Sequence, residues 1–502
     1  MHANALLESG HLTTWLRGGL CLLPDATGHR PVRCDIEIAA GRIAAVHQAG
    51  QRGVSGRDVE VIDASDCLVV PGFVNAHTHS PDNLIKGIAP NLPLELWSLH
   101  CSPGREQQSP REIYISALLG CVEMLHTGTT TVLDHIRFYP HPDSESLDAV
   151  ARAYLDSGLR AIIAPVVADR PVIDTIPLNP ADLEPAHASA YSPVAMMAAA
   201  EQIDLVDRFI RTWNGADGRI NCAVGPSGPQ RCTDGLLEMA GDISLRYQTL
   251  LHTHVLETKA QRLMGYQLYG HSMLRHLSNL GLLTPRTNLV HVIWADEDDL
   301  DLIARSGASV VHNPVSNAKL GSGICQLPAM LHKGIPVALG TDSACCNDSN
   351  NLLETAKWAA LLHNLQSPDP ENWIGPENAL RLATREGAKV LGLGEITGSI
   401  APGFAADLTL FKLRSPGFVP LNDPVRQLIQ SHSGAPVEMV MVAGRPVLKH
   451  GRCLLVPELE VWEEAQAMAD RRLRGNGRIR TSADQMAGPI TRMYRRINGL
   501  EQ

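Results

Sequence analysis

A repeated alternation of strand-like and helix-like segments over residues 71–394 is the feature that most constrains the fold of this chain. Short apolar runs rich in β-branched residues are separated by amphipathic stretches long enough for helices. The strand-like runs are 69–79, 129–135, 160–167, 220–225, 249–255, 288–293, 309–312 and 336–341. About eight such β/α units predict an α/β protein built on a parallel (β/α)8 barrel of the TIM type.

The two ends of the chain have a different pattern, in which short apolar runs alternate with Gly, Asp and Pro turns. The same pattern before and after the barrel predicts one small β-sandwich domain assembled from both chain ends. The predicted boundaries are 1–70 and 395–457 for this composite domain, 71–394 for the barrel and 458–502 for a helical tail. The tail is rich in Arg, and we expect a helix over 462–474 that is solvated or contacts another subunit.

Charge and composition exclude several classes of protein. The formal net charge of -10 argues against nucleic acid or an anionic membrane as the main partner. No run approaches the ~18 apolar residues of a membrane span, and no signal peptide is apparent at the N-terminus. The 11 Cys are scattered and odd in number, which predicts reduced thiols in a cytoplasmic protein. The adjacent Cys345 and Cys346 are interpreted as small buried hydrophobic residues.

Metal-binding side chains recur at the predicted strand ends. His77 and His79 close the first run, and their i, i+2 spacing points both imidazoles to one face of a strand. His254 lies in the fifth run, His291 in the sixth, and Asp342 follows the eighth. Because barrel chemistry is located at the carboxyl ends of the strands, these side chains are expected to converge. Three of these imidazoles together with the carboxylate suit Zn²⁺, with Fe²⁺ as the alternative.

Two further residues fit hydrolytic chemistry at such a metal. A water bound there would be acidified toward a pKa of about 7, which makes hydroxide available at neutral pH. Glu257 lies three residues beyond His254 and could move a proton to a ring nitrogen or a leaving group. The alternative for Glu257 is a structural carboxylate at a helix N-terminus. His291 is either a metal ligand or a hydrogen-bonding partner of the attacking water.

Several motifs together resemble those of the amidohydrolase superfamily. They are Pro71-Gly-Phe-Val-Asn-Ala-His-Thr-His, Thr127-Gly-Thr-Thr-Thr-Val-Leu-Asp, His254-Val-Leu-Glu, His312-Asn-Pro-Val-Ser-Asn-Ala-Lys-Leu-Gly-Ser-Gly, Gly340-Thr-Asp-Ser and the segment 398–411. The resemblance covers about residues 14–450 and is greatest to the deaminase and triazine-hydrolase branch. That branch includes S-adenosylhomocysteine deaminases, guanine deaminases and atrazine chlorohydrolase.

This resemblance implies specific roles for the site residues. It implies one metal ion bound by His77, His79, His254 and Asp342, with Glu257 and His291 as the acid/base pair around the water. Asp342 is implied to be both a ligand and a proton acceptor. Dinuclear relatives carry a carboxylated Lys on the fourth strand, and residues 220–230 contain no Lys. One departure from the branch is Trp294, which stands where relatives often have a second His.

The sequence therefore predicts a metal-dependent hydrolase, namely a hydrolytic deaminase of a small nitrogen-rich heterocycle such as a purine, pterin, pyrimidine or s-triazine. The nucleophile is expected to be metal-bound hydroxide. Trp97, Gln230, Ser316 and Asn317 are candidate substrate contacts, with loop packing or backbone capping as the equal alternative for each. The chain is expected to form a homodimer or higher homo-oligomer.

Other functions stay open at this stage. The same machinery could cleave an amide, urea, carbamate or C–Cl bond, because only the leaving group differs. A catalytically silent binding scaffold is a remote alternative, disfavoured by the intact ligand set. A nucleic-acid deaminase is excluded, because the Pro-Cys-x-x-Cys zinc motif of that class is missing from the sequence.

Overall fold

The structure is a computed structural model that describes residues 13–25, 28–52, 59–105, 108–138, 141–179, 183, 196–431, 437–475 and 477–500. Strands from both ends of the chain pair in one nine-stranded sheet, in the order β18-β17-β16-β15-β5-β1-β2-β3, with β4 beside β1. These strands are β1 (Thr13–Pro24), β2 (His29–Ala39), β3 (Arg42–Gln48), β4 (Val59–Asp63), β5 (Cys67–Pro71), β15 (Leu408–Lys412), β16 (Val437–Val442), β17 (Arg445–Lys449) and β18 (Arg452–Cys453). The β-structure predicted from the two chain ends is therefore a single hydrogen-bonded sheet.

The barrel strands lie between these two groups in the sequence. They are β6 (Phe73–Thr78), β7 (Thr129–Ile136), β8 (Arg160–Val167), β9 (Ile220–Cys222), β10 (Gly225–Pro226), β11 (Leu251–Val255), β12 (Thr287–His291), β13 (Ser309–His312) and β14 (Val337–Leu339). All their pairings are parallel, in two sets from β6 to β10 and from β11 to β14. A bridge between Val224 and Leu251 joins the sets on one side, and Asp342 N donates to His77 O on the other.

If β9 and β10 are counted as one strand position, eight parallel strands close the barrel. The predicted (β/α)8 barrel is therefore confirmed. The helices around and beyond it are Leu94–Arg105, Pro110–His126, Ser144–Ser157, Ala199–Trp213, Asp234–Tyr247, Lys259–Tyr269, Met273–Asn279, Glu297–Ser306, Pro314–Lys319, Leu327–His332, Leu352–Leu362, Pro376–Leu382, Arg385–Val390 and Pro424–Arg426. Within the described ranges, no helix is both long and apolar enough to cross a membrane.

The first predicted run, 69–79, is divided in the structure. It splits at Gly72 into β5, which belongs to the terminal sheet, and β6, the first barrel strand. A side chain at Gly72 would collide with the side chain of Thr130, so only glycine fits where the chain passes from sheet to barrel. The split leaves His77 and His79 at the far end of β6, where the sequence predicts them.

The tail differs from its prediction in length. It forms two helices, Glu458–Gly475 and Gly477–Ile497, instead of one helix over 462–474. We call the second of these the tail helix. Its residues Met486, Ile490 and Met493 are buried against the barrel. The expectation of a solvated or subunit-contacting helix concerned 462–474, which lies within the first of the two helices.

Candidate active site

The predicted metal ligands converge at the carboxyl ends of the barrel strands. His77 ends β6, His79 follows it, His254 lies in β11, and Asp342 follows β14. The Nε2 atoms of His77 and His79 each lie 3.5 Å from Asp342 Oδ1. Nε2 of His254 lies 3.4 Å from Nε2 of His79. Four donor atoms from three separate strand ends thus lie close together. Those of His77, His79 and His254 fall within 4.8 Å of one another, and Asp342 forms a second such group with His77 and His291.

Hydrogen bonds behind the imidazoles hold them in this arrangement. Nδ1 of His79 donates to His135 O at 2.5 Å, and Nδ1 of His254 donates to Ser227 O at 2.7 Å. Nδ1 of His77 lies 2.9 Å from His252 Nε2. A proton fixed on each Nδ1 leaves the Nε2 lone pair free to bind a metal, which is the usual arrangement for a ligating histidine.

The donor atoms fit a divalent metal ion for two reasons: the imidazoles are neutral, and one of their nitrogens has no hydrogen-bond partner. Burial lowers the pKa of His79 to about 3 and also lowers the pKa values of His77 and His254, so all three imidazoles are neutral. Nε2 of His77 is fully buried and has no hydrogen-bond partner among the described residues. A buried nitrogen without a partner is unfavourable unless something binds it, and a metal ion is the fitting partner here.

Asp342 is held as a carboxylate among these imidazoles. Burial alone would favour the protonated form, but the surrounding imidazoles, His77 foremost and then His291 and His79, outweigh burial and hold the pKa of Asp342 well below its usual range. Ser316 Oγ donates to Asp342 Oδ2 at 2.7 Å, and Ser343 N donates to Oδ1 at 2.7 Å. These two bonds fix the carboxylate in the plane that faces the imidazoles.

Glu257 lies beside this cluster and is almost fully buried. Its backbone N donates to Gln261 Oε1 at 2.9 Å, and Gln261 Nε2 donates to Glu257 Oε2 at 3.4 Å. Burial raises the pKa of Glu257 to about 7, and the charge of Asp342 acts in the same direction. Such a carboxyl group can both release and accept a proton near neutral pH.

His291 faces both carboxylates. Its Nε2 lies 3.7 Å from Glu257 Oε2 and 3.8 Å from Asp342 Oδ2. Its Nδ1 lies 2.9 Å from Asn317 Oδ1, which accepts the ring proton. The imidazole is therefore aimed into the space between Glu257 and Asp342.

Backbone strain is concentrated at the same strand ends. Leu256, His291, Val292 and Asp342 have φ values of 51°, 74°, 47° and 62°. Residues with a side chain rarely adopt this left-handed region, and a β-branched residue such as Val292 does so at a particular energetic disadvantage. Strain of this kind is typical of functional sites, where the surrounding fold forces a side chain into a required direction.

A pocket opens above the cluster. His79, His254, Glu257, His291 and Asp342 contribute to its floor, and Trp97 and Gln230 line its wall. The remaining lining includes Glu95, Gln108, Arg137, Arg231, Gln261 and Cys346. Two of the four predicted substrate contacts therefore face the pocket.

The other two, Ser316 and Asn317, occupy different positions. Neither lines the pocket; each is buried behind it, Ser316 against Asp342 and Asn317 against His291. The helix Pro314–Lys319 follows β13 and lies under the pocket floor. Trp294 is also outside the lining, with Nε1 donating to Ser322 O at 2.7 Å.

Two histidines at the site were missed by the sequence analysis. His135 lies in β7, and its ring can bring a nitrogen within 4.8 Å of the ligand atoms of His77, His79 and His254. His252 contacts His77 directly. The spacing of His252 and His254 repeats that of His77 and His79, so the His-x-His pattern could have revealed His252.

Comparisons with known proteins agree with this geometry. The model of the amidohydrolase family matches residues 68–447. The chain is 33% identical over 455 residues to the 5-methylthioadenosine/S-adenosylhomocysteine deaminase of Syntrophobacter fumaroxidans, covering 90% of this chain and 97% of that one. It is also 33% identical to the 5'-deoxyadenosine deaminase of Methanothermobacter thermautotrophicus, covering 89% of this chain and 96% of that one.

Solved structures are similar over nearly the whole chain. An adenosine deaminase from Xanthomonas campestris with bound zinc superposes with a TM-score of 0.81 at 26% identity, covering 92% of this chain and 98% of that one. An atrazine chlorohydrolase from Arthrobacter aurescens complexed with zinc gives a TM-score of 0.82 at 25% identity, covering 91% and 100%.

Proposed function

This chain belongs to the amidohydrolase family, and from that premise we propose that it is a metal-dependent deaminase of an adenine nucleoside. In the proposed reaction, water replaces the exocyclic amine of the purine and ammonia is released. The observation that carries the proposal is the convergence of three neutral imidazoles and Asp342 beneath a pocket, with the protonatable Glu257 beside them. We propose a purine substrate because the deaminases named above are identical to this chain at about a third of the aligned residues.

We assign one divalent cation, Zn²⁺ with Fe²⁺ as the alternative, to His77, His79, His254 and Asp342. The lone pairs of the imidazoles and the ionised Asp342 support this assignment, as does the zinc in the two solved neighbours. The fourth-strand region 220–230 has no Lys, which favours a single ion. When bound, such a cation supplies an acidified water at neutral pH.

The protein's own residues then move protons. Glu257, with a pKa of about 7, is proposed to donate through Oε2 to the ring nitrogen next to the carbon that is attacked. Asp342 is proposed to accept the proton of the attacking water. His291 is proposed to orient that water, because its Nε2 faces the space between the two carboxylates.

Trp97 and Gln230 are proposed to contact the substrate. Trp97 Nε1 donates to Cys345 O at 3.0 Å, which fixes the indole as one wall of the pocket. Gln230 Oε1 is buried and has no hydrogen-bond partner in the described part of the chain, so it can accept from a substrate N–H or O–H. Ser316 and Asn317 are instead proposed to hold Asp342 and His291 in place.

The test is ammonia release by the zinc-loaded enzyme. The substrates to compare are 5'-deoxyadenosine, methylthioadenosine, S-adenosylhomocysteine, adenosine, adenine, guanine, a pterin, cytosine and an aminated s-triazine. We expect ammonia from at least one adenine nucleoside and loss of turnover after chelation. Chloride release from a chlorotriazine without ammonia release would indicate a C–Cl hydrolase. A carboxylate product from an amide would indicate an amide hydrolase. No turnover by fully metal-loaded protein would favour a binding scaffold.

A cytoplasmic location and a homo-oligomeric state complete the proposal. All 11 Cys are free thiols and ten of them are buried, which suits a reducing compartment. Sedimentation of the purified chain and fractionation of its host cells test these two points.

A further inference from the structure

The tail helix lies beyond the region that the family model matches, yet it packs on the rim of the pocket. It spans Gly477–Ile497, whereas the match ends at residue 447. Met486, Ile490 and Met493 lie on one face of the helix at i, i+4 and i+7 and are buried. They pack with Leu99, Ile176 and Ala260, which come from three different segments of the rim.

A series of side-chain hydrogen bonds connects this helix to the wall of the pocket. Tyr494 Oη donates to Glu95 Oε2, and Thr258 Oγ1 donates to Glu95 Oε1 at 3.1 Å. Glu95 lines the pocket and is only 7% exposed. A buried carboxyl group needs hydrogen-bond donors, and Tyr494 of the tail and Thr258 are side chains that provide them.

The other donor, Thr258, adjoins the proposed acid/base residue. Thr258 caps the helix Lys259–Tyr269, where its hydroxyl accepts from Gln261 N at 3.2 Å. Gln261 in turn contacts both the backbone and the carboxyl group of Glu257. Leu256, immediately before Glu257, has a φ of 51°, so this turn is strained and needs support from its neighbours.

We propose that the tail helix completes the active site, because Tyr494, acting through Glu95 and Thr258, holds the turn that presents Glu257. Tyr494 is a positioning residue in this scheme, since it acts through other side chains. The inference rests on the proposed function in one respect, the role of Glu257 as the acid/base group.

The first test is Tyr494→Phe, which removes the hydroxyl and keeps the ring. Loss of a buried hydrogen bond of this kind predicts a decrease of about 10-fold in kcat. We expect the KM to stay within about twofold and the zinc content to be unchanged, because the substrate wall and the ligands are intact. The matched control is Asn498→Ala, which keeps the Tyr494 hydroxyl and removes a different contact of the tail, the 2.9 Å bond that Asn498 Oδ1 accepts from Lys259 Nζ of the helix that Thr258 caps. The control should keep wild-type kcat.

A second test separates positioning of Glu257 from other effects of the tail. In the Glu257→Gln background, measured by single turnover, Tyr494→Phe should cause no further loss, because its target is already removed. If the double variant loses the product of the two single-variant losses in rate, the proposal is overturned. A wild-type kcat in Tyr494→Phe also overturns it.

A third measurement does not depend on activity. Hydrogen exchange of residues 256–261 should be faster in Tyr494→Phe than in the wild-type protein, with the rest of the barrel unchanged. Unchanged exchange in this segment, or equal acceleration throughout the barrel, overturns the proposal. If wild-type protein deaminates none of the purines but this local change is seen, the positioning role stands and the proposed function fails.

Discussion

Each imidazole of the proposed ligand set has a hydrogen-bonding partner behind it. His77 is the extreme case, because its partner is another histidine, His252, whose own Nδ1 finds no hydrogen-bond partner among the described residues. With the Nε2 of His77 turned toward the ligand cluster, its Nδ1 carries the proton and His252 accepts it. The tautomer of His77 is therefore set by His252, which is not one of the proposed metal ligands.

This dependence predicts a metal-affinity defect in His252→Gln. Loss of such a partner typically weakens metal binding about 10- to 100-fold. Zinc affinity measured by competition with a chromogenic chelator checks the prediction. His276→Gln is the control, because His276 is paired with Asp234 at 2.9 Å and does not line the pocket. Equal zinc affinity in His252→Gln and wild type would refute the role of His252.

The ligand assignment itself predicts that His254→Ala and Asp342→Asn lose both zinc and turnover. His254 supplies one of the converging Nε2 atoms and Asp342 the only carboxylate proposed as a ligand. Metal content by mass spectrometry and ammonia release should fall together. Wild-type turnover in either variant is incompatible with the assignment.

Glu257→Gln should behave differently from the ligand variants. The amide keeps the shape of the side chain but cannot give up or take a proton, so turnover should slow by roughly two to four orders of magnitude. Zinc content should stay near the wild-type value, because Glu257 is not a proposed ligand. If zinc is lost together with activity, Glu257 has a structural role instead.

Among the secondary-structure elements, the break between β5 and β6 has the largest consequence for the site. Both strands are entirely buried, and they are parts of one continuous apolar run in the sequence. The break at Gly72 lets β5 pair with β15 while β6 pairs with β7. Where β6 ends, and hence where His77 points, follows from this break.

Gly72→Ala is therefore predicted to destabilise the protein. The added methyl group would overlap the side chain of Thr130, and overpacking of this kind typically amounts to about 1–3 kcal/mol. Gly235→Ala is the matched control, since nothing lies within 4 Å of a Cβ at Gly235 in the first turn of the helix Asp234–Tyr247. Thermal and urea unfolding should show a lower stability for the first variant and no decrease for the second.

At the scale of the whole molecule, a buried ion pair joins the barrel to the terminal sheet. Arg160, at the start of β8, donates to Asp407 from Nε at 3.0 Å and from Nη2 at 3.3 Å. Asp407 also accepts from Ala443 N at 2.6 Å. We propose that residues 71–394 form the barrel domain and that 1–70 with 395–457 form the domain fastened to it by this pair.

Arg160→Met should destabilise the protein by about 3–5 kcal/mol, because it leaves a buried carboxylate without its counter-charge. Adding Asp407→Asn should recover part of the loss, since the amide is neutral and keeps an oxygen for Ala443 N. Urea denaturation of both variants and of the wild type completes the comparison. A change below ~0.5 kcal/mol in Arg160→Met would show that the pair does not hold the two parts together.

The fold class, and the residues proposed for the site, could be predicted from local sequence patterns. Eight alternating units and their strand-end His and Asp residues follow from local periodicity, which needs no knowledge of long-range contacts. In a parallel barrel, side chains at the strand ends lie on one face, so spacing alone predicts that His77, His79, His254, His291 and Asp342 converge. The division of these residues into ligands and acid/base partners came from the resemblance to the family.

The residues that lie behind and above these side chains could not be predicted in the same way. His135 contacts the cluster from β7, Ser316 and Asn317 lie under the floor, and Tyr494 reaches Glu95 across 399 positions of the chain. A helical period in the tail identifies an apolar face but not the surface that covers it, because that surface is assembled from segments distant in sequence. The positions of the proposed ligands along the chain thus follow a local pattern, whereas their orientation and that of Glu257 depend on contacts that exist only in the folded chain.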